Sequence, residues 1–382
     1  MEKKLIYLDH AATSWPKPDM VIKAVEDCIR TIGGNPGRGS HRLAVRAADV
    51  VYTCRERAAA FFGCLPERVV FTGGATMGLN MVITGFLRQG DHVLIDSMCH
   101  NAVYRPVYRL AEQGKISYDI YDIGNCPEDC LNALAERITP RTRMIVCTHC
   151  SNICGRTAPL AEIGRFCREH GILLAVDGAQ SAGHLPISVD EWGITALCVP
   201  GHKGLLGSQG CGLILFGSDA PDCAPFTVGG SGSHSLDPVM PPELPEHLEA
   251  GTLPVPAIAG LSAGLDLLLR KGAADIYREA LDAAKLFSDE CGRISGITTY
   301  GDTNGFVFSF TLDGFLPSRT AEYLDSYGIC VRSGYHCAPL AHRTIGSFSD
   351  GTVRVSFGYG NTRKDAVRML ELLEKLARRE KQ

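Results

Sequence analysis

The chain has 382 residues, of which 45% are hydrophobic, and its formal net charge at pH 7 is −4. This length and apolar fraction are enough for a large buried core and predict two domains within one compact unit. Because the two signs of charge are mixed along the chain, it lacks the basic stripe that neutralises a row of phosphates. Nucleic acid is therefore not expected as a partner.

The sequence shows no sign of membrane attachment or export. Its longest apolar runs, such as residues 171–176, have the length of a strand and are too short to span a bilayer. Residues 1–16 lack the continuous apolar stretch and the small-residue cleavage site of a secretory signal. We therefore expect a cytoplasmic protein, in which most of the sixteen scattered cysteines are reduced core thiols.

Residues 40–218 alternate segments of helical periodicity with short apolar runs, which is typical of strands joined by crossover helices. Apolar residues recur at helical spacing over 41–62, and Gly63 follows as a helix terminator. Several strand candidates lack polar alternation, which favours a largely parallel sheet covered on both faces. The predicted strands are 68–72, 92–96, 144–148, 173–177, 196–199 and 212–216.

The second part of the chain has a different composition. Residues 219–256 are rich in Pro, Gly and Ser and predict a long irregular excursion, a kind of segment that often carries function. The pattern beyond it predicts a smaller α+β domain. Its predicted elements are helices at 257–270, 274–291 and 362–379 and strands at 305–312 and 352–357. We predict a large domain over 15–255 and a small C-terminal domain over 256–382, joined by residues 1–14.

The strongest chemical signal is Lys203 in VPGHKGLLG (199–207), where a lysine follows a short apolar strand in a glycine-rich turn. A partly buried lysine has a lowered pKa, and neighbouring glycines allow close approach of an aldehyde to its amine. An isolated motif of this kind is more often a solvated turn, so the interpretation requires a partner. Asp177 supplies it, because it ends the apolar strand in LLAVDGAQS (173–181) at the edge where α/β sheets bind ligands.

The stretch FTGGATMGLN (71–80) places a glycine turn between a strand and a helix that begins near Thr76. Helix N-termini bind phosphate through free backbone N–H groups, so this turn is a candidate phosphate cradle. Taken alone, the stretch is equally compatible with an ordinary turn in which Thr76 caps the helix.

The cluster of Cys147, Cys150 and Cys154 suggests a metal site, but no second ligand pair follows at zinc-finger spacing, and core thiols are the better interpretation.

Eight stretches occur in the order in which a known family has them: YLDHAATS (7–14), NPGRGSH (35–41), GATMGLN (74–80), DGAQ (177–180), GHK (201–203), EAGTLP (249–254), RSGYHC (332–337) and VRVSF (353–357). Through them the chain resembles the cysteine desulfurases and selenocysteine lyases of the class V aminotransferase superfamily. The resemblance runs nearly from end to end. It implies an α/β fold of the fold-type I class, whose members depend on pyridoxal 5'-phosphate (PLP), and a homodimer.

The resemblance also implies roles for individual residues around the cofactor. Lys203 would bind PLP covalently, Asp177 would pair with its pyridine nitrogen, and Gln180 would lie near its phenolic oxygen. His100 would stack on the ring and take part in catalysis. The remaining cofactor-binding positions are Ala75, Thr76 and His202 in the same subunit and Thr252, which would reach the phosphate of the neighbouring subunit.

On the substrate side, the resemblance implies that Asn152 and Arg354 hold the amino acid, with Arg354 binding its α-carboxylate through a bidentate fork. Cys337 would attack the substrate's sulfur as a thiolate, and His336 and Arg332 would lower the pKa of its thiol. L-cysteine would thus become L-alanine, with the sulfur kept on Cys337 as a persulfide for a possible acceptor protein. Nothing in the sequence separates L-cysteine from L-selenocysteine as substrate or names the acceptor.

Two positions depart from the family pattern. Pro200 stands where the family usually has Ser or Thr, and Ala75 replaces a common Thr, so two hydroxyl groups near the phosphate are absent. The phosphate cradle is then expected to depend more on His202, Thr76 and backbone donors. A related lyase, transaminase or epimerase would not need Cys337, and a sulfur-relay scaffold would not need Lys203, so both alternatives are weaker.

Overall fold

The computed structural model describes residues 5–37, 39–301 and 305–379, and of Arg379 only the backbone. The strands are β1 (Ile6–Tyr7), β2 (Val69–Thr72), β3 (His92–Asp96), β4 (Ser117–Tyr121), β5 (Thr142–Thr148), β6 (Leu173–Asp177), β7 (Ala196–Pro200), β8 (Gly212–Phe216), β9 (Ile297–Tyr300), β10 (Val307–Leu312), β11 (Ile329–Cys330), β12 (Arg332–Gly334) and β13 (Thr352–Ser356). The α-helices are α1 (Asp19–Asp27), α2 (Arg42–Phe62), α3 (Ala75–Phe86), α4 (Asn101–Glu112), α5 (Pro127–Ala135), α6 (Leu160–His170), α7 (Val189–Trp192), α8 (Val255–Lys271), α9 (Ala273–Cys291), α10 (Pro317–Ser326), α11 (Pro339–Thr344) and α12 (Arg363–Arg379).

A seven-stranded sheet forms the centre of the molecule, in the order β2-β8-β7-β6-β5-β3-β4. Strands β3 to β7 run parallel, whereas β8 pairs antiparallel with both β7 and β2. The interior strands are buried along their length because helices cover both faces, which explains their nearly unbroken apolar sequences. The predicted α/β fold with a large, mostly parallel sheet is therefore confirmed.

The carboxyl ends of the parallel strands bring polar residues from distant parts of the chain to one edge. Thr148 of β5 pairs in register with Asp177 of β6, and Asp177 pairs with Cys198 of β7. Asp96 ends β3 on the other side and accepts the backbone N–H of Thr148 at 2.7 Å. In open α/β sheets this edge is where ligands bind.

A smaller antiparallel sheet, in the order β12-β13-β10-β9, is packed against α9 and α12. The N-terminal segment is attached to this part of the molecule: β1 pairs with β11 in a separate two-stranded parallel sheet, and Asp9 bridges to Ser356 at the end of β13. Helix α8, which follows the predicted domain boundary, packs against α1 and α2 beside the large sheet. The boundary itself stays a prediction.

One loop of the large sheet forms a close junction with the small one. The Ser309 hydroxyl of β10 donates to the carbonyl of Ile153 at 2.7 Å. Gly155 has a φ of +70°, and a Cβ there would lie 2.8 Å from the carbonyl oxygen of Val307. Only glycine fits that approach without displacing β10. Among the described residues, no helix combines the length and apolarity needed to cross a membrane.

Candidate active site

A cavity of about 540 Å³ opens at the carboxyl edge of the parallel strands. It brings together predicted site residues that lie more than a hundred positions apart in sequence. Those lining it are Ala75, Thr76, His100, Asn152, Asp177, Gln180, His202 and Lys203, together with Pro200. The two predicted residues of the small sheet, Arg354 and Cys337, lie outside this lining.

Lys203 follows β7 in a turn and presents its side chain to this cavity. Burial, with the positive charges of Arg354 and Arg332 adding to it, lowers the pKa of its ammonium to about 8, against the opposing pull of the Asp177 carboxylate. A substantial fraction of the amine is therefore neutral near physiological pH. A neutral amine is the form that condenses with an aldehyde.

Asp177 is almost fully buried at the end of β6, and its Oδ1 accepts the backbone N–H of Ala179 at 2.9 Å. Burial raises the pKa of the carboxyl, while the Ala179 hydrogen bond and Lys203 act in the opposite direction. A carboxylate in so dry a site gains most from a cationic partner. A protonated pyridine nitrogen is a partner of this kind.

His100 is the N-cap of α4, and its Nδ1 accepts the backbone N–H of Ala102 at 3.0 Å. Burial first, then the charges of Lys203 and Arg354, lowers the pKa of the imidazole to about 4. The ring is therefore neutral, and with Nδ1 accepting, its proton lies on Nε2. A flat, uncharged ring in the cavity wall is suited to stacking on an aromatic cofactor.

The turn before α3 has the properties of an anion cradle. Gly74 has a φ of +141° and provides no side-chain cap for the first N–H groups of α3, and residues 73–77 line the cavity. A Cβ on Gly212 of the neighbouring strand would lie 2.6 Å from the Cα of Gly74, which shows how tightly this turn is packed. Together with Lys203 and Asp177, these donors fit a cofactor that carries a phosphate, an aldehyde and a basic ring nitrogen.

The N-terminal segment fixes the backbone next to Lys203. The carbonyl oxygen of His202 accepts four hydrogen bonds from residues 13–17: from the backbone N–H and hydroxyl of Ser14 at 3.0 Å each, the Thr13 hydroxyl at 3.2 Å and the Lys17 ammonium at 2.7 Å. Gln180 donates its amide to the carbonyl of Ala11 at 2.9 Å. The cavity floor and the N-terminal segment are therefore one connected unit.

Arg354 lies on β13 with its guanidinium buried beside the cavity. Its Nη2 pairs with Asp9 Oδ1 at 2.8 Å, and its Nη1 donates to the carbonyl of Asn152 at 3.2 Å. The other oxygen of Asp9 binds Arg332 Nε at 3.1 Å. Asp9 thus orients both arginines, and Arg354 retains an unpartnered, buried Nε.

Cys337 is exposed and lies in a loop whose backbone reaches the cavity wall, because its carbonyl accepts the N–H of Asn101, next to His100, at 2.7 Å. His336 is buried, and its pKa is lowered to about 2 by burial and by Arg354. It is therefore neutral and supplies no positive charge to the thiol, and the expected effect of His336 on Cys337 stays a prediction. Arg332, the second cation expected to do so, is paired with Asp9.

Comparison with known proteins decides the family. The sequence model of the family described as aminotransferase class-V matches residues 6–369. The chain belongs to the aminotransferase class-V family. A probable cysteine desulfurase of Methanothermobacter thermautotrophicus is 32% identical over 97% of this chain and 94% of its own, and one from Halalkalibacterium halodurans is 31% identical over 97% and 93%.

Solved structures give the same result. The apo cysteine desulfurase from Thermococcus onnurineus NA1 superimposes with a TM-score of 0.89 at 28% identity, covering 98% of this chain and 95% of that one. The cysteine desulfurase CsdA of Escherichia coli, in an S-sulfonic acid form, gives 0.88 at 28% identity, covering 97% and 94%. These findings confirm the predicted family, the fold and a PLP-dependent enzyme of the cysteine desulfurase kind.

Thr252 of this class-V chain lies away from its own cofactor cavity. It is exposed beside a second cavity of about 750 Å³, where its hydroxyl accepts the Asn35 amide at 3.3 Å. That location leaves the predicted contact with a neighbouring subunit as a prediction.

The three clustered cysteines lie in different surroundings. Cys147 is enclosed in β5, Cys150 lines the cofactor cavity and Cys154 lines a third cavity. No group of three or more His, Cys, Asp or Glu in the described ranges is placed to hold a metal.

Sequence reasoning assigned no role to several residues of the site. Asp9 and Ser14 were visible only as part of an N-terminal family stretch, which ends before Lys17, and the contacts of all three span about 185 residues or more. Phe226, in the irregular excursion, lines the cofactor cavity while it is half exposed. The Pro-, Gly- and Ser-rich composition indicated a functional segment there without indicating which side chain reaches the site.

Proposed function

We propose that this protein is a PLP-dependent cysteine desulfurase that converts L-cysteine to L-alanine and keeps the sulfur on Cys337 as a persulfide. The observation that carries the proposal is the combination of a cavity holding Lys203 and Asp177 with an exposed Cys337 whose loop is hydrogen-bonded to the helix end beside His100. The full-length similarity to probable cysteine desulfurases supports it.

When bound, PLP supplies an electron sink for the bonds at the substrate's α-carbon. Lys203 would hold it covalently, and Asp177 would keep its ring nitrogen protonated. The N-terminus of α3, Thr76 and His202 would hold its phosphate. With two hydroxyls absent at Pro200 and Ala75, backbone N–H groups provide the larger share of those contacts.

Arg354 would bind the substrate's α-carboxylate. Its buried guanidinium is anchored through Asp9 and the Asn152 carbonyl, and its Nε has no partner among the described residues, so a substrate carboxylate would supply an acceptor. The neutral ring of His100 would cover the reacting atoms without adding a positive charge. Burial of these groups excludes water and strengthens each ionic contact.

Lys203, with a pKa lowered to about 8, would take the proton from the α-carbon once its amine is released. The Cys337 thiolate would then attack the sulfur of the bound cysteine. The new S–S bond would form as the Cβ–S bond breaks. The Cβ atom would take up the proton that the Cys337 thiol gave up, and Lys203 would return its proton to the α-carbon. One L-cysteine and one thiol thus give one L-alanine and one persulfide, with no external oxidant.

We further propose that the enzyme works as a cytoplasmic homodimer in which Thr252 contacts the phosphate of the neighbouring subunit. The exposed position of Thr252 outside its own cavity supports this arrangement. A persulfide on an exposed loop is accessible to a thiol of a separate acceptor, so a sulfur-acceptor protein is the expected partner.

The test is the Cys337→Ser variant. It should lose persulfide formation from L-cysteine to background while it retains the absorbance of bound PLP, because serine is a poor nucleophile toward sulfur. Cys126→Ser is the matched control, since Cys126 is also exposed but lies at the start of α5. Alanine and released sulfur are measured with L-cysteine and, in parallel, with L-selenocysteine.

A wild-type protein that forms alanine from L-selenocysteine but not from L-cysteine would replace the proposal with a selenocysteine lyase. Unchanged sulfur yield in Cys337→Ser would refute the role of this thiol. A purified protein that binds no PLP would refute the enzyme function altogether.

A further inference from the structure

The loop that carries Cys337 is attached to the large sheet's side of the cavity by two hydrogen bonds. The backbone N–H of Asn101 donates to the carbonyl of Cys337 at 2.7 Å. The side-chain amide of Asn152 donates to the carbonyl of His336 at 2.8 Å. Consecutive carbonyls of the loop are thus held by two different elements, the start of α4 and the loop after β5.

This loop requires outside support. His336 and Cys337 have φ values of +47° and +59°, in the left-handed region that is unfavourable for side chains with a Cβ. Such conformations are unfavourable and persist where surrounding contacts enforce them. The two hydrogen bonds to the carbonyls of these same two residues are contacts of that kind.

Asn152 is placed to link the loop with the substrate. It is 6% exposed, lines the cofactor cavity, and accepts a hydrogen bond from Arg354 on its backbone carbonyl. Because the atom that faces the His336 carbonyl must be a donor, the amide orientation is determined. Its Oδ1 is consequently buried, with no hydrogen-bond partner in the part of the chain that the structure describes.

The backbone of Asn152 is itself rigidly held. The Ser309 hydroxyl fixes the next carbonyl, that of Ile153, and Gly155 lies against β10. Arg354 and the Cys337 loop therefore share one fixed point, the main chain and side chain of Asn152. A change at this side chain would move the loop and leave the Arg354 anchor in place, since that anchor uses the Asn152 backbone and Asp9.

We propose that Asn152 is a positioning residue for Cys337: its amide holds the loop in the arrangement from which the thiol reaches the substrate's sulfur. This inference rests on the proposed desulfurase function and gives Asn152 a role in addition to the substrate-binding one that the family resemblance implied. Misplacing a reacting group by about 1 Å can slow a reaction about 100-fold, and this sets the expected loss of persulfide formation.

The test uses two variants that remove one hydrogen bond each. Asn152→Ala removes the side-chain donor to His336. Asn101→Pro removes the backbone donor to Cys337 and is compatible with the helix, because position 101 is the first residue of α4 and His100 already has an extended backbone. Retained PLP absorbance shows that each variant has folded with its cofactor.

Three quantities are measured on the PLP-loaded proteins. Persulfide formation from L-cysteine should fall about 100-fold in both variants. The Kd for L-alanine, which has the carboxylate but no sulfur, should stay within about 3-fold of wild type in Asn101→Pro, which keeps the Asn152 side chain. Hydrogen exchange of the Asn101 amide, whose acceptor is the Cys337 carbonyl, should rise about 10-fold in Asn152→Ala, with the interior of α4 unchanged.

The proposal is overturned if Asn152→Ala weakens L-alanine binding tenfold or more while exchange of the Asn101 amide stays at the wild-type rate. That result would make Asn152 a substrate-binding residue. Failure of the wild-type protein to form a persulfide would instead refute the desulfurase function, and the exchange measurement would still report whether Asn152 holds the loop.

Discussion

At the scale of single residues, Lys203 and Asp177 show how burial prepares a site for a charged cofactor. Burial lowers the pKa of the lysine and raises that of the carboxyl, and their mutual attraction opposes both shifts. Desolvation is the largest effect on the pKa of each group. Attraction between Lys203 and Asp177 therefore does not fully compensate for the burial of their charges. Both groups gain from a ligand that takes the amine covalently and offers a cationic nitrogen to the carboxylate.

The lowered Lys203 pKa predicts how fast cofactor-free protein takes up PLP as pH changes. Only the neutral amine attacks the aldehyde, so the rate of covalent loading should rise with pH and level off above about pH 8. For a lysine with the ordinary pKa of about 10.4, the loading rate would still increase above pH 8. Near pH 7.5 such a lysine would react roughly 100-fold more slowly. The measurement is the mass of borohydride-reduced protein at intervals after mixing.

Lys203→Arg is the control for that experiment, since a guanidinium keeps the positive charge but does not condense with the aldehyde. It should show no covalent loading at any pH between 6 and 10. A loading rate that keeps increasing to pH 10 in the wild-type protein would contradict a desolvated lysine.

Local sequence was enough to single out Lys203 in a turn and Asp177 at a strand end, and both line the cofactor cavity, whereas His100 was assigned only through the family resemblance. It was not enough where the state of a group depends on distant packing. His336 was expected to lower the pKa of the Cys337 thiol, but burial, with the charge of Arg354 adding to it, keeps its own ring neutral. Asp9 was part of a recognised stretch, yet its pairing with Arg354 becomes visible only when β1 and β13 are brought together.

At the scale of elements, a buried ion pair attaches the irregular excursion to the large sheet. Arg55 of α2 binds both carboxylate oxygens of Glu249, at 3.0 and 2.6 Å, and also donates to the carbonyl of Val69. Glu249 in turn accepts the backbone N–H of Phe71 at 2.6 Å. Helix α2, strand β2 and the segment that leads to Thr252 are therefore joined at one point.

Removing one partner of this pair should be costly, because it leaves the other charge buried and uncompensated. Glu249→Ala is expected to lower the free energy of unfolding by about 3–5 kcal/mol. The double variant Arg55→Ala/Glu249→Ala should lose less than the sum of the two single variants. Denaturant unfolding followed by circular dichroism measures each value.

A surface ion pair provides the comparison. Arg368 and Glu371 of α12 lie 3.1 Å apart and are both exposed, so Glu371→Ala should change the free energy of unfolding by less than about 1 kcal/mol. Equal losses for Glu249→Ala and Glu371→Ala would show that the buried pair does not stabilise the junction.

The elements that sequence predicted well are those with continuous apolar runs, and β3, β6 and β8 have the predicted bounds. Strand β4 was missed because it lies at the edge of the sheet, and its sequence SYDIY is partly exposed and carries an acid. Strands β11 and β12 have two and three residues, too short for any period to appear. Their positions are set by pairing with β1 and β13, which is information that local sequence does not contain.

At the scale of the whole molecule, residues 226–239 present apolar side chains to the surface beside the cofactor cavity. Phe226 is 52% exposed, Val228 73%, Val239 72% and Leu236 100%. Large apolar side chains exposed to this extent within one short segment are expected to be covered by another chain. Since Phe226 also lines the cofactor cavity, a chain that covers this segment would lie at the cavity mouth.

A second copy of the chain is the expected cover, because Thr252 is exposed in the same part of the molecule and would then reach the other copy's phosphate. We therefore expect a dimer in sedimentation velocity. Leu236→Asp should shift the protein toward monomer and weaken PLP binding about tenfold, the effect of losing roughly one hydrogen bond to the phosphate. Leu316→Asp, at an exposed leucine before α10, should leave both properties unchanged. A wild-type monomer with full PLP affinity would contradict the shared site, because each cavity would then hold its cofactor with residues of one chain alone.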